Sequence, residues 1–77
     1  MPDPDLRAFG AAVRKRRREL GWSQEEYAER CGLHRTYIGG IERGERNVPL
    51  KNIIVLAVTL RVHPAELVRS IAVEHRR

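Results

Sequence analysis

The sequence predicts an all-α domain of five helices. All four prolines fall in segments that would precede or open a helix, where proline is tolerated. No stretch alternates apolar and polar residues for long, as a half-buried strand would. Apolar residues instead recur three or four positions apart, which is the spacing of one helix face. With 77 residues and no linker, residues 1–77 form one domain.

The first helix is predicted over residues 5–20. Phe9, Val13 and Leu20 lie on one stripe at helical spacing. Gly21 follows in the position where a helix commonly ends, because glycine adopts the left-handed backbone conformation without strain.

The second and third helices form a closely spaced pair. The second is predicted over residues 23–31, since Ser23 and Glu26 have the spacing of a capping box and Gly32 marks its end. The third is predicted over residues 34–43 and is closed by another glycine.

The last two helices are marked by proline. A helix over residues 50–60 follows Pro49, and a helix over residues 64–75 has Pro64 in its first turn. His63 stands immediately before this last helix and is predicted to cap its amino end.

The charge balance favours a polyanionic partner. Fifteen Lys and Arg against ten Asp and Glu give a net charge of +5, and the isoelectric point is about 10.3. A compact domain this basic is typical of nucleic-acid binding, and also permits contact with other polyanions or membrane surfaces. The excess lies outside residues 23–46, which hold four basic and five acidic residues.

Several protein classes are excluded or disfavoured. The single Cys31 cannot form an internal disulfide, and no run approaches the ~20 apolar residues of a membrane span. Residues 1–5 carry prolines and acids and show no signal peptide. The three histidines are scattered, with no second cysteine near Cys31, so no metal site is expected. We therefore expect a cytoplasmic, nucleoid-associated protein without cofactor or membrane contact.

The second and third helices have the spacing of a helix-turn-helix over residues 23–43, in which the second helix of the motif enters the major groove of DNA. Tight corners between two helices are common in small proteins, so the spacing alone is weak evidence for DNA binding. The residues at the exposed positions strengthen this prediction. Arg35 and Thr36 lie in the exposed first turn of the third helix, and arginine can bind guanine through two hydrogen bonds. Arg43 and Arg46 follow this helix, where they could hold phosphates.

The chain resembles the Xre family of phage-repressor-like helix-turn-helix proteins. The resemblance is carried by SQEEYAERCGL (23–33) and RTYIGGIERG (35–44), and the pattern IxxIERGxRNxxL continues it. It covers roughly residues 7–68. Within the family, RTYIxGIERxxRN is most similar to the controller proteins of restriction–modification systems. These are short dimers that regulate their own promoter and the endonuclease gene.

The resemblance implies a division of roles among the DNA-facing residues. Arg35 and Thr36 match positions that contact base edges, and Tyr37 beside them contacts bases or simply packs. Gly39 and Gly40 depart from the family, which often has polar side chains there, so DNA shape would contribute to recognition. We expect these glycines to allow close approach to the duplex. The positions that match phosphate contacts are Gln24, Arg43 and Arg46.

Arg17 and Glu42 are predicted to form a structural ion pair rather than to contact DNA. Arg17 falls on the apolar stripe of the first helix and Glu42 on the Ile38 face of the third. An unpaired charge in such a position is costly, and family members often pair an arginine and a glutamate at the matching positions. The other four residues of the basic run 14–18 are predicted to form a solvated face, with one or two reaching phosphates.

The fourth and fifth helices are more apolar than one inward face requires. Homodimerisation through residues 50–75 would cover the excess, whereas the alternative is that the fifth helix simply packs on the fourth. The predicted interface residues are Ile54, Val55, Val58, Val68 and Ile71.

The sequence thus predicts a sequence-specific, double-stranded-DNA-binding transcriptional regulator, such as a repressor or controller protein, acting as a homodimer on an inverted-repeat operator. The alternative is a protein-interaction module or antitoxin that binds a partner chain. No nucleophile, base and orienting group can be assembled, so we expect neither an enzyme nor a small-molecule effector.

Overall fold

The computed structural model describes residues 3–72, and these contain five α-helices and no strand. The all-α prediction is confirmed, and each bound of the first four helices differs from its predicted position by at most one residue. No helix among the described residues is long and apolar enough to cross a membrane. The helices are α1 (Pro4–Glu19), α2 (Gln24–Cys31), α3 (Arg35–Glu42), α4 (Leu50–Thr59) and α5 (Pro64–Val68).

Four of the five described helices begin where a side chain accepts a hydrogen bond from a free backbone N–H group, whereas α4 begins after Pro49 without such a cap. The Asp3 carboxylate accepts hydrogen bonds at the start of α1. At the start of α2, Ser23 and Glu26 form both hydrogen bonds of the predicted capping box. The predicted cap at His63 is also confirmed, since its Nδ1 accepts the N–H of Ala65 at 3.0 Å. The sequence therefore determines these helix starts locally.

The fifth helix is shorter than predicted, because it ends at Val68 and not at residue 75. The N–H of Ile71 donates to the Val68 carbonyl at 3.1 Å, a three-residue turn that replaces the helical pattern. This turn leaves the Ile71 side chain packed against the core. Leu67 is the one buried residue of α5, so little packing is available to extend the helix. Residues 73–75 of the predicted helix lie outside the described residues.

The core lies where α1, α2 and α3 meet α4 and α5. Tyr27 is fully buried at its centre, and its hydroxyl donates to the Leu56 carbonyl at 2.9 Å. Burial raises the pKa of the Tyr27 phenol and of the Cys31 thiol. Cys31 and Trp22 pack against the core but remain half-buried. The buried apolar residues are Phe9, Val13, Tyr27, Ala28, Ile38, Ile41, Val48, Leu56, Ala57, Leu60 and Leu67.

A backbone contact between α1 and α3 depends on Gly10. A Cβ atom at this position would lie 2.2 Å from the carbonyl oxygen of Ile41 and 2.8 Å from that of Glu42. Both neighbours are backbone atoms, so neither can rotate away. The absence of a side chain at Gly10 therefore allows the two helices to touch at the carboxyl end of α3.

The predicted partners Arg17 and Glu42 are joined in the structure by two hydrogen bonds. Nε of Arg17 donates to Oε2 of Glu42 at 2.7 Å, and Nη2 donates to Oε1 at 2.9 Å. The two side chains are only 8% and 1% exposed. Nη1 of Arg17 donates to the Trp22 carbonyl at 2.7 Å, and Nε2 of Gln24 donates to Glu42 at 2.9 Å. The hydrogen bond to Glu42 raises the pKa of Arg17.

We expect Gly10→Ala to destabilise the domain by about 1–3 kcal/mol, because the added methyl group would force α1 and α3 apart. Gly39→Ala is the matched control, since its Cβ would meet only the tips of Arg43 and Gln24, at 3.1 and 3.5 Å. Alanine there gains up to about 1 kcal/mol of helix propensity. Urea denaturation of both variants measures the difference. Equal midpoints would contradict the proposed role of Gly10.

We expect Glu42→Gln to cost about 3 kcal/mol or more, because it leaves the Arg17 guanidinium buried without a counter-charge. The double variant Arg17→Met/Glu42→Leu removes both charges, and we expect it to be more stable than Glu42→Gln. Urea denaturation again provides the measurement. If the double variant were the less stable of the two, the buried pair would contribute net stability of its own.

Candidate nucleic-acid interface

The first turn of α3 projects from the domain because the helix buries its carboxyl-terminal half. Ile38 and Ile41 are fully buried, whereas Arg35 and Thr36 are exposed. Nδ1 of His34 accepts the N–H of Thr36 at 3.1 Å and caps the helix just before these residues. Two side chains that can hydrogen-bond to base edges are thereby presented on a capped helix start.

Tyr37 has features of both roles considered for it. Its ring is half-buried and packs against the core. Its hydroxyl accepts a hydrogen bond from Nδ2 of Asn52 at 3.0 Å, which ties α3 to α4. The guanidinium carbon of Arg46 lies 5.8 Å from the ring centroid, so the ring also supports a cation at the surface.

Gly39 and Gly40 provide the surface on which two arginines lie. A Cβ at residue 39 would be 3.1 Å from Nη1 of Arg43, and a Cβ at residue 40 would be 3.1 Å from Cγ and Nε of Arg46. The space beside the glycines is therefore occupied by these side chains. Close approach of a duplex at this point would require both arginines to move.

Gln24 lies at the amino end of α2 and is tied to the buried ion pair through its bond to Glu42. Its Oε1 lies 3.5 Å from the position that a Cβ on Gly39 would occupy. The structure thus brings the predicted phosphate-contacting residues Gln24 and Arg43 together against the same turn of α3. Arg46 lies over the next residue of that helix.

Two carboxylates pair with the arginines of this surface, and the sequence analysis did not predict them. Glu25 accepts a single hydrogen bond from Nη1 of Arg35 at 3.2 Å. Glu45 accepts two from Arg43, from Nε at 3.0 Å and Nη2 at 3.2 Å. The hydrogen bonds between Arg43 and Glu45 raise the pKa of Arg43 and lower that of Glu45. The feature of the sequence that could have indicated these pairs is the excess of acidic over basic residues in 23–46.

The basic run of α1 is spread around the helix. Arg14, Lys15 and Arg18 are exposed, as expected for a solvated face. Arg16 is half-buried and its Nε donates to the Leu60 carbonyl at 3.0 Å, which ties α1 to the end of α4. The run is therefore not a single DNA-facing patch, because Arg17 also points inward.

A second surface consists of exposed apolar side chains and is called here the apolar face. Leu50, Ile54 and Val58 are 71%, 42% and 67% exposed and stand four residues apart, so they line one side of α4. Val55 and Val68 add to it with 36% and 39% exposure. Leu50 was missed by the sequence analysis. Ile71, predicted to belong to this surface, is half-buried against the core instead.

Within residues 3–72 no three metal-ligating side chains form a group that could hold a metal ion. The chemistry available at the α3 surface is hydrogen bonding and charge. Arginine forks can bind guanine edges or phosphate oxygens, and Thr36 can bond to either kind of partner.

Comparison with known proteins connects this geometry to a family. Residues 13–67 match a family described as helix-turn-helix. The chain is 44% identical over 73 residues to the control protein C.SmaI of Serratia marcescens, with 87% of each chain covered. It is 50% identical over 60 residues to the control protein C.BamHI of Bacillus amyloliquefaciens, covering 77% of this chain and 74% of that one.

A solved structure agrees in fold and in sequence. The restriction–modification controller protein C.AhdI of Aeromonas hydrophila superposes with a TM-score of 0.80 at 51% identity. The match covers 82% of this chain and 96% of C.AhdI. The chain therefore belongs to the Xre-like helix-turn-helix family and is a transcriptional regulator related to restriction–modification controller proteins.

Proposed function

We propose that this regulator binds an inverted-repeat operator in double-stranded DNA as a homodimer. The observation that carries the proposal is the exposed first turn of α3, where Arg35 and Thr36 project from the domain, with Arg43 and Arg46 lying over Gly39 and Gly40 of the same helix. A helix presented in this way fits the major groove, and arginine discriminates guanine there by binding O6 and N7 together.

The proposal assigns different tasks to the arginines. Arg35, at the start of α3, reads a base edge together with Thr36, and Tyr37 lies next to both. Arg43 and Arg46 lie behind them on Gly39 and Gly40, and with Gln24 they hold phosphates. Base contacts provide sequence preference, while phosphate contacts provide affinity that is nearly independent of sequence.

The apolar face supports the dimer. A domain of this size rarely leaves five large apolar side chains exposed on adjoining helices unless another surface covers them. Two copies packed through α4 and α5 would bury this face and relate two recognition helices by twofold symmetry. Half-sites about 34–36 Å apart, one helical turn, are then expected.

The similarity to C.SmaI, C.BamHI and C.AhdI supports a role as the controller of a restriction–modification system. In this role the protein binds promoter DNA in the cytoplasm, and the promoter of its own gene is among its targets. Footprinting on the DNA upstream of its own coding sequence tests this assignment. Protection confined to unrelated promoters would contradict it.

The apolar face also favours a second candidate, a module that binds a different protein through α4 and α5. Selection from a random duplex library at about 0.15 M salt separates the two, because loose charge contacts are largely screened at that ionic strength. Enrichment of an inverted repeat supports the dimeric regulator. Absence of enrichment, with binding that disappears as salt rises, supports the protein-binding module.

We expect Arg35→Ala to weaken binding to the selected operator by about 1–3 kcal/mol and to relax the preference at one base pair of each half-site. Arg46→Ala should instead weaken binding to all duplexes to a similar extent and reduce the salt dependence. Equilibrium titrations with the operator and with a scrambled duplex measure both effects. Equal losses on both duplexes for Arg35→Ala would contradict its role in reading bases.

We expect Val58→Glu to produce a monomer, because it places a charge on the apolar face at a residue that is 67% exposed in the single chain. Sedimentation equilibrium measures the mass, and operator affinity should fall with it. Ala11→Glu adds the same charge at an exposed position of α1 and serves as the control. A dimer that survived Val58→Glu would place the interface elsewhere.

A further inference from the structure

The helix-turn-helix segment is not basic, although it is proposed to bind a polyanion. Residues 23–46 contain four basic and five acidic residues, a net charge of −1, whereas the rest of the chain contains eleven basic and five acidic residues, a net charge of +6. Two of the five carboxylates have a structural role, since Glu26 caps α2 and Glu42 pairs with Arg17. Glu29 is exposed on α2 and forms no ion pair with another described residue. Glu25 and Glu45 remain, each bonded to an arginine of the DNA-facing surface.

The two remaining pairs differ in how much of the arginine they occupy. Glu25 takes one nitrogen of Arg35, Nη1, so the edge formed by Nε and Nη2 stays available. Glu45 takes both Nε and Nη2 of Arg43, which together form one of the two edges that can bind an oxyanion through two hydrogen bonds.

The second edge of Arg43 is formed by Nη1 and Nη2, and Nη1 lies beside Gly39, 3.1 Å from where a Cβ of that residue would be. A phosphate can take the Nε–Nη2 edge of Arg43 only by displacing Glu45. Arg46 adds a second positive charge near the same carboxylate, so the carboxylate opposes both arginines in attracting an anion.

From this geometry we infer that Glu45 is an intramolecular competitor of the DNA phosphate for Arg43 and lowers the affinity of the protein for every duplex. This inference rests on the phosphate-contacting role proposed above for Arg43. When DNA binds, Arg43 exchanges one carboxylate for one phosphate, and the displaced Glu45 remains near the DNA as a repulsive charge. The exchange involves no base, so its effect is the same on the operator and on random sequence.

The test is a double-variant cycle of Glu45→Gln, Arg43→Ala and the combination, with equilibrium binding to the operator and to a random duplex. We expect Glu45→Gln to raise affinity for both duplexes by roughly two- to fivefold per protomer, the scale of an exposed ion pair. The slope of log affinity against log salt should steepen by about 0.9 per protomer, because Arg43 now neutralises a phosphate fully. In the Arg43→Ala background, Glu45→Gln should raise affinity no more than the control variant Glu29→Gln does.

Glu29→Gln is the control, since it removes the same charge from an exposed position of α2 that has no ion pair among the described residues. It reports the long-range effect of charge without releasing an arginine. The inference is overturned if Glu45→Gln and Glu29→Gln raise affinity equally, or if the gain persists without Arg43.

The cycle separates failure of this inference from failure of the proposed function. If the wild-type protein prefers no sequence, the operator proposal fails, yet the cycle on random duplex still reports whether Glu45 competes for Arg43. If the wild-type protein prefers its operator but Glu45→Gln leaves affinity and salt slope unchanged, only the competition is wrong. Glu45 is exposed, so the variant keeps the fold, and circular dichroism checks this.

Discussion

The buried bonds between Arg17 and Glu42 are the interaction on which the position of α3 depends. One carboxylate at the end of α3 accepts hydrogen bonds from Arg17 of α1 and from Gln24 of α2. The same guanidinium also holds the Trp22 carbonyl in the connection between those helices. Because the pair is almost fully withdrawn from water, separating the two side chains within the core would leave each charge buried without its partner. The pair therefore favours the observed orientation of α3 relative to α1.

Glycines complement this constraint at the two sides of α3. On the inner side, Gly10 lets α1 approach until its Cα faces the backbone carbonyls of Ile41 and Glu42. On the outer side, Gly39 and Gly40 leave a bare strip of helix on which Arg43 and Arg46 lie. Two glycines within one short helix reduce its intrinsic stability, so α3 depends on packing and on its cap at His34. Their benefit is positional, because they place cations close to the axis of the helix.

The surface of the domain is divided between two kinds of interaction. The α3 surface carries charges that are largely paired within the molecule, through Glu25 and Glu45. The apolar face on α4 and α5 has the opposite character, with large aliphatic side chains open to solvent. Under the proposed function, the charged surface would bind DNA and the apolar face would bind a second copy, so the two interactions use separate parts of the domain.

Local signals in the sequence determined the bounds of the first four helices to within one residue and the start of the fifth. Ser23, Glu26 and His63 act through neighbouring backbone groups, so their spacing alone predicts the helix starts. The apolar stripes indicated that Arg17 and Glu42 point inward, and the resemblance to the family supplied the prediction that they pair with each other. The tertiary structure decided what depends on distance between segments. The short α5, the contact at Gly10, and the occupied strip at Gly39 and Gly40 follow from packing that no local pattern records. The link from Arg43 to Glu45 joins near neighbours, but only the folded loop turns both side chains toward each other.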